Sequence, residues 1–581
     1  MQQNLYLLIF ALCAGLLITA CSKSGEPKNT LRDIQGGMKR GGIFRTNAAS
    51  DIASLDPARM AKQSEGLVGH QIYDQLVTLN DSTLALEPML AKSWEISGDG
   101  LTYTFHLRND VFFHDDPCFP NGKGRKLTAT DIKYSLTRSI DARAQALGAE
   151  FFTTCVLGAE AYYDATIEAV KFGGEPKVPE IKGFLVKNDT TFVIQLRDVY
   201  APFIYHLTTG VSYITCREAA ETYGKELARH PVGTGAFAFS SWAEDREIIL
   251  KRHSNYWEHD AFGNQLPYLD EISFRFINES ATQLLEFRKG RLEESIGIPQ
   301  EFAAQVLTEN GEAKGEYQQF VLKSTPELRI DYIAMNTALE PFQNEKIRKA
   351  LSAAIDRDKI VRYVLKNQVA AATGLVTRGF EGYDNSDLKT IQYDLSAAKK
   401  LLAEAGFPDG KGLAPITLNT FVGAKYAYNK EVAEAVQSML AEIGVQVNLE
   451  QTEYSTHLQQ AYLGKLKLFL SSWGADYPDP ESFLNLVYGE VIPKNAGGES
   501  YQNLSRYRNP KFDQIFSKAL QTTDRAQRYA LYQQAEQIAL LDAPIILTYQ
   551  RIARRFQQPY VRNYPINAMD RRNFRRVWLD Q

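Results

Sequence analysis

The chain is poor in cysteine, with five among 581 residues. No two of them form a CxxC pair, which removes the spacing signal of structural zinc. There is no HExxH stretch and no G-x-S-x-G elbow, and the eight histidines fall in no catalytic pattern. Neither a zinc protease nor a nucleophile-elbow hydrolase is therefore legible. Neither sign of charge is in large excess. The formal net charge of −4 gives no reason to expect nucleic acid or an anionic membrane surface as the main partner. Beyond the first twenty or so residues nothing approaches the run of about 18 apolar positions that spans a bilayer. No fixed-period repeat is present.

What is present is the composition of a folded protein, 44% hydrophobic and 23% charged. Its length corresponds to roughly three or four domain-sized units. The 30 Tyr and 30 Phe suit aromatic-walled binding sites as well as large cores. Leu5 to Ala20 ("LYLLIFALCAGLLITA") is almost unbroken in its apolar character and is followed at once by Cys21. Too short for a span, it fits the core of a signal peptide, although "MQQN" ahead of it carries no Lys or Arg. "LITAC" resembles the lipobox of bacterial lipoproteins. That resemblance implies a signal peptide over 1–20, with Ile18, Thr19 and Ala20 in the recognition positions and lipid on Cys21. Residues 21–40, polar and Gly-rich, read as the lipidated cysteine and a flexible tether. Cys118, Cys155 and Cys216 remain for the body, too few for a disulfide framework. One bridge is open, Cys118 to Cys155 among its pairings.

Strand and helix patterns alternate. In "LTYTFHL", Leu101, Tyr103, Phe105 and Leu107 alternate with polar residues, the period of a half-buried strand. "PIILTY" (544–549) is continuously apolar and suits a strand covered on both faces. "NEKIRKALSAAIDRDKIVRYVLK" (344–366) places Ile347, Leu351, Ala354 and Ile355 on one helical stripe, with Asn344 available as cap. "KEVAEAVQSMLAEIGVQVNLEQ" reads helix, glycine stop, strand. The class is α/β, with parallel pairing in part of the protein. In "PVGTGAF", Gly233 and Gly235 are expected in a tight turn that tolerates positive φ. His114, Asp115 and Asp116 in "FHDD" read as turn residues rather than a metal site. "DDPCFPNGKGRKLTATD" reads as a surface loop over 115–127.

From Gly41 onward, six segments in order resemble the peptide-binding solute receptors of ABC transporters. They are "GGIFRTNAASDIASLDPA", "GHQIYDQLVTLN", "LEPMLAKSWEISGDGLTYTFHLRNDVFFHDD", "LTATDIKYSLTRSID", "HPVGTGAFAFSSW" and "MNTALEPFQNEKIRKALSAAIDRDKIV". The resemblance implies a type II periplasmic-binding-protein fold, two lobes around a cleft with an additional third domain. Carried over, domain I comprises 41–82, 230–325 and 548–581, domain II 83–229, and domain III 326–547. It also implies a monomeric, lipid-anchored extracytoplasmic receptor, periplasmic in a host with an outer membrane. Such a receptor captures peptides by cleft closure and passes them to an ABC import permease, with no cofactor, no metal and no catalysis.

A receptor for peptides pairs with their main chain and fixes their charged ends. The family's W-x-x-D segment, whose Asp holds the peptide amine, corresponds to "WGAD", with Asp476 three residues after Trp473. Trp473, Gly474 and Ala475 would offer backbone pairing, Gly474 allowing close approach of the ligand, and Tyr477 a wall or hydroxyl contact. Where some relatives carry an Arg for the peptide carboxylate, this chain has Leu470, with Lys467 the nearest cation; Arg378, in a loop that in this family approaches the cleft, is a candidate for that contact. The same fold would also serve a metal chelate, haem, an opine or an oligosaccharide. An exported hydrolase and a chaperone-like protein are the readings from other classes.

Overall fold

The computed structural model describes residues 31–48, 52–60, 62–423, 428–495 and 497–581. The signal segment and Cys21 lie outside the described residues. Residues 31–40, expected within the tether, are instead folded. Arg32–Asp33 pairs antiparallel with Lys39–Arg40, and Leu31, Ile34 and Met38 pack on a neighbouring core. Three apolar side chains within eight positions are enough to fix so short a hairpin on an existing apolar surface.

Three larger sheets organise the body. The first has the order Phe237–Ala243, Glu247–Arg252, Glu271–Phe276, Ile43–Ala48, antiparallel except for the last pair. The second is antiparallel, in the order Ala91–Ile96, Thr102–Leu107, Thr191–Gln195, Phe184–Asn188. In it Tyr103, Phe105 and Leu107 are buried and alternate with half-exposed Thr102, Thr104 and His106, as a strand with one covered face requires. The third sheet has seven strands and is built on two long ones, Val321–Met335 and Ile545–Gln557. Ile545 to Gln550 are all buried, in keeping with the apolar run that forecast a strand covered on both faces.

The two long strands run without a break through 325/326 and 547/548, where domain boundaries were expected. Their pairing skips register between Pro326 and Ile330. Glu327, Leu328 and Arg329 thus leave the ladder, a bulge that bends the strand and re-aims its side chains. Gln550 Nε2 satisfies the freed carbonyl of Glu327 at 2.8 Å.

Helix signals hold in part. Asn344 caps Glu345–Ala354, accepting from the Lys346 amide, and Ile347, Leu351 and Ala354 are buried. The helix does not continue to Lys366. Asp356 turns its side chain onto the Lys359 amide and caps a new turn, and this local bond competes with continued α-helix. Gly233 and Gly235 do not have positive φ. Glycine is needed there because a Cβ would lie 2.1 Å from the Ile72 carbonyl oxygen at 233 and 2.6 Å from that of Gln71 at 235. His114 is buried, its amide donating to the Gly233 carbonyl and its Nε2 bonded to that of Gly235. The 115–127 loop so begins against the glycine turn.

Candidate functional site

The strand Leu468–Gly474 pairs along its whole length with Val321–Met335, from Met335 opposite Leu468 to Arg329 opposite Gly474. Its other edge meets Ile416–Val422 only at Leu468 and Phe469. His457 Nε2 takes the Leu470 carbonyl at 2.9 Å, and from Ser471 on this edge has no strand partner among the described residues. The Ala475 amide donates to the Leu328 carbonyl at 2.8 Å. Antiparallel alternation then turns the N–H and C=O of Ser472 and Gly474 toward the open edge. An extended ligand backbone can add there as a further strand.

The turn after this strand is held from behind. Ser482 Oγ accepts from Trp473 Nε1 at 3.3 Å and lies 3.4 Å from the Asp476 amide. Asp479 accepts from the Glu481 amide at 3.0 Å and forms a buried ion pair with Arg528 at 3.3 Å. Glu481 is buried and receives Tyr477 Oη at 2.5 Å, Tyr200 Oη at 2.8 Å and the Asn485 amide. Burial pushes the Glu481 carboxyl up to about 7, against the lowering effect of those donors.

Asp476 emerges from this frame exposed, its carboxylate accepting no hydrogen bond and pairing with no base among the described residues. Water reaches the side chain, yet protein surrounds it closely enough that poor hydration dominates its titration. Its carboxyl is pushed up to about 6, first by desolvation, then by the like charge of Glu150, against the opposing pull of Arg329. Glu150 opens the short helix Glu150–Thr153 on the segment expected to be domain II. It has no basic partner among the described residues, and desolvation raises it too. Asp476, at the end of the open strand edge, thus feels a like charge from a distant segment, Glu150, and one opposing cation, Arg329.

Trp473, Gly474, Ala475 and Asp476 run from the end of this strand into the turn, while Gly474, Tyr477 and Arg378 have surroundings other than those expected. The room left by the missing Cβ of Gly474 is filled by Arg329, whose Nη2 would stand 2.8 Å from a Cβ there, so a cation takes the space glycine opens. Tyr477 is buried, stacked on Tyr205 with ring centroids 6.1 Å apart, and its hydroxyl is committed to Glu481. It supports the turn rather than lining the cleft. Arg378 is exposed, its backbone is held by Gln550, and its charge acts on Asp384. No hydrogen bond or ion pair joins Arg378 to residues 473–477 among the described residues. The cation beside the anchor strand is Arg329, bound only weakly by Glu327 at 3.6 Å and Ser472 Oγ at 3.5 Å. Sequence reading missed both Arg329 and Glu150. The signal for Arg329 was a charge inside an otherwise strand-like run; Glu150 carried none.

Comparison with known proteins gives one consistent picture. Residues 85–495 match the family described as bacterial extracellular solute-binding proteins, family 5 Middle. Heme-binding protein A of Haemophilus influenzae is 27% identical over 558 residues, covering 95% of each chain. Di/tripeptide-binding protein 2 of Pseudomonas aeruginosa is 27% identical over 544 residues, covering 92% of this chain and 94% of its own. Among solved structures, the ABC transporter-associated periplasmic binding protein DppA from Helicobacter pylori in complex with peptide STSA superposes with a TM-score of 0.72. It shares 28% identity over 93% of this chain and 98% of its own.

Proposed function

The chain belongs to the bacterial extracellular solute-binding proteins of family 5, with the fold of type II periplasmic binding proteins, and on that premise we propose that it captures peptides for an ABC import permease. One observation carries the reading: Asp476 stands at the end of an open strand edge with no hydrogen bond or ion pair to its carboxylate among the described residues, and the like charge of Glu150 acts on it. A peptide supplies both complements, a main chain for the edge and an ammonium for the carboxylates. In a poorly hydrated site that charge-assisted contact outweighs its value in water.

Closure follows from the same charges. Without ligand, Glu150 and Asp476 repel across the gap. A bound ammonium turns that repulsion into two attractions, and this differential affinity favours the closed arrangement. The role is binding and delivery rather than catalysis, in a monomer held near its permease by lipid on Cys21. Cys21→Ala is expected to move the protein from the membrane fraction to the soluble one; retention in membranes would remove the lipid from the proposal.

Likeness to a heme-binding protein raises haem as a second ligand. Its two propionates would meet Glu150 and Asp476 as like charges, which favours the peptide. Titration calorimetry with short peptides, amino end free or acetylated, tests this. The free amine is expected to bind at least tenfold tighter, since a charge-assisted contact contributes about 1.5–3 kcal/mol. Equal affinity for the two would refute the amine-anchor reading.

A further inference from the structure

Three cysteines fall among the described residues, and two of them converge. Cys118 lies in the 115–127 loop, and Cys216 immediately precedes the helix Arg217–Tyr223. Two polar ties pin that loop to that helix. Tyr223 Oη donates to Asp116 Oδ1 at 2.7 Å, and Arg125 meets Glu218 through Nε at 2.6 Å and Nη2 at 2.9 Å. Cys118 follows Asp116 by two positions, and Cys216 precedes Glu218 by two. Between the ties Cys118 packs against the apolar core that holds Cys216, and Cys216 is among the groups that raise the Cys118 thiol. Cys216 is buried in the largest apolar core, with Cys118 half-buried against it. Cys155, the partner open in the sequence, is instead turned to the Phe151 carbonyl, Sγ to O 3.4 Å.

We propose that Cys118 and Cys216 are joined by a disulfide in the exported protein. The proposal rests on the extracytoplasmic placement of the family, because thiols that meet there encounter an oxidising compartment. The bond forms by exchange with the disulfide of an oxidising dithiol protein. One cysteine of this chain attacks that disulfide, the other resolves the mixed intermediate, and two electrons and two protons leave on the carrier as a dithiol. In the folded protein burial, and after it the neighbouring Asp116, push the Cys118 thiol well above its ordinary value and keep it protonated. Exchange is therefore fastest while the chain is folding, before the loop closes. Once made, the bond ties the 115–127 loop to Arg217–Tyr223 in the same region where His114 meets the Gly233 turn. The loop then behaves as part of the scaffold that backs the junction of the expected domains I and II.

The test uses the exported protein isolated from the cell envelope and denatured with N-ethylmaleimide present and no reductant. A non-reducing digest followed by mass spectrometry is expected to show the Cys118 and Cys216 peptides linked and maleimide on Cys155 alone. Reduction should release the pair. Cys155→Ser should retain the link, and Cys118→Ser, at the half-exposed position, should free Cys216 for alkylation in the denatured chain. The oxidised protein should also melt above the reduced one, with Cys118→Ser matching the reduced form. Maleimide on both Cys118 and Cys216 of the isolated protein, or a link through Cys155, would overturn the proposal.

Discussion

Tyr200 donates its hydroxyl to Glu481 Oε1 at 2.8 Å and so ties the segment before Pro202 to the turn that presents Asp476. The amide of Ala201 reinforces the same junction, donating to the Leu520 carbonyl at 2.7 Å. Asp476 is thus carried by a buried polar cluster reaching across two segments expected to lie in different domains, II and III.

That cluster makes stability depend on pH in a definite direction. The Glu481 carboxyl is raised by burial from about 4.5 to about 7. A carboxyl raised on folding favours the folded state below its unfolded value, and that contribution is lost as pH rises through the folded value. Comparing urea unfolding of wild type and Glu481→Gln from pH 5 to 8, the stability difference is expected to shift in favour of the variant as pH rises. A difference flat across that range would mean Glu481 titrates normally.

Asp476 gives a second pH signature, in binding. With its carboxyl raised to about 6 by desolvation and Glu150, it is ionised at pH 7.5 and largely protonated at pH 5. Affinity for a free-amine peptide is expected to fall by up to about tenfold between these values, tracking the ionised fraction of the carboxyl. Asp476→Asn should bind weakly at both. Its folding should be as good as wild type or better at pH 7.5, by no more than about 1 kcal/mol for a solvent-reached group. Calorimetry at the two pH values decides the matter.

Glu150 is predicted to act in binding although it was absent from every sequence motif. Glu150→Gln removes the repulsion that helps raise Asp476, so the pH midpoint of peptide binding should move down. Affinity at pH 7.5 should fall by a smaller factor than for Asp476→Asn. A midpoint that does not move would separate Glu150 from the site.

Gly474→Ala tests the placement of Arg329. The added methyl would meet Nη2 at 2.8 Å, a contact closer than packed atoms allow, with the flexible end of a side chain. The guanidinium should swing away at small cost to folding. Losing its opposing pull, Asp476 should then titrate higher, and the pH midpoint of peptide binding should rise. Arg329→Gln should give the same shift without the steric change.

Local patterns carried much of the fold. Alternation in Thr102–Leu107, the cap at Asn344 and the doubly covered run from Pro544 are each written in a few neighbouring residues, whose period fixes which face is buried. Asp476 at the end of a strand was legible for the same reason, as part of a contiguous motif. The break at Asp356 was less so, since it depends on one side chain preferring a local amide over continued helix.

By itself, then, the sequence determined the α/β class, the family and the place of Asp476 at a strand end. Only the tertiary structure decided what surrounds that residue. It set Glu150 against Asp476, put Arg329 in the space over Gly474, withdrew Tyr477 into a bond with Glu481, and faced Cys118 with Cys216 instead of Cys155. Apart from the local Tyr477–Glu481 bond, each of these pairings joins residues from separate elements. Their meeting depends on strand register, on the bulge at 327–329 and on how the segments pack, and none of these leaves a period in the local sequence.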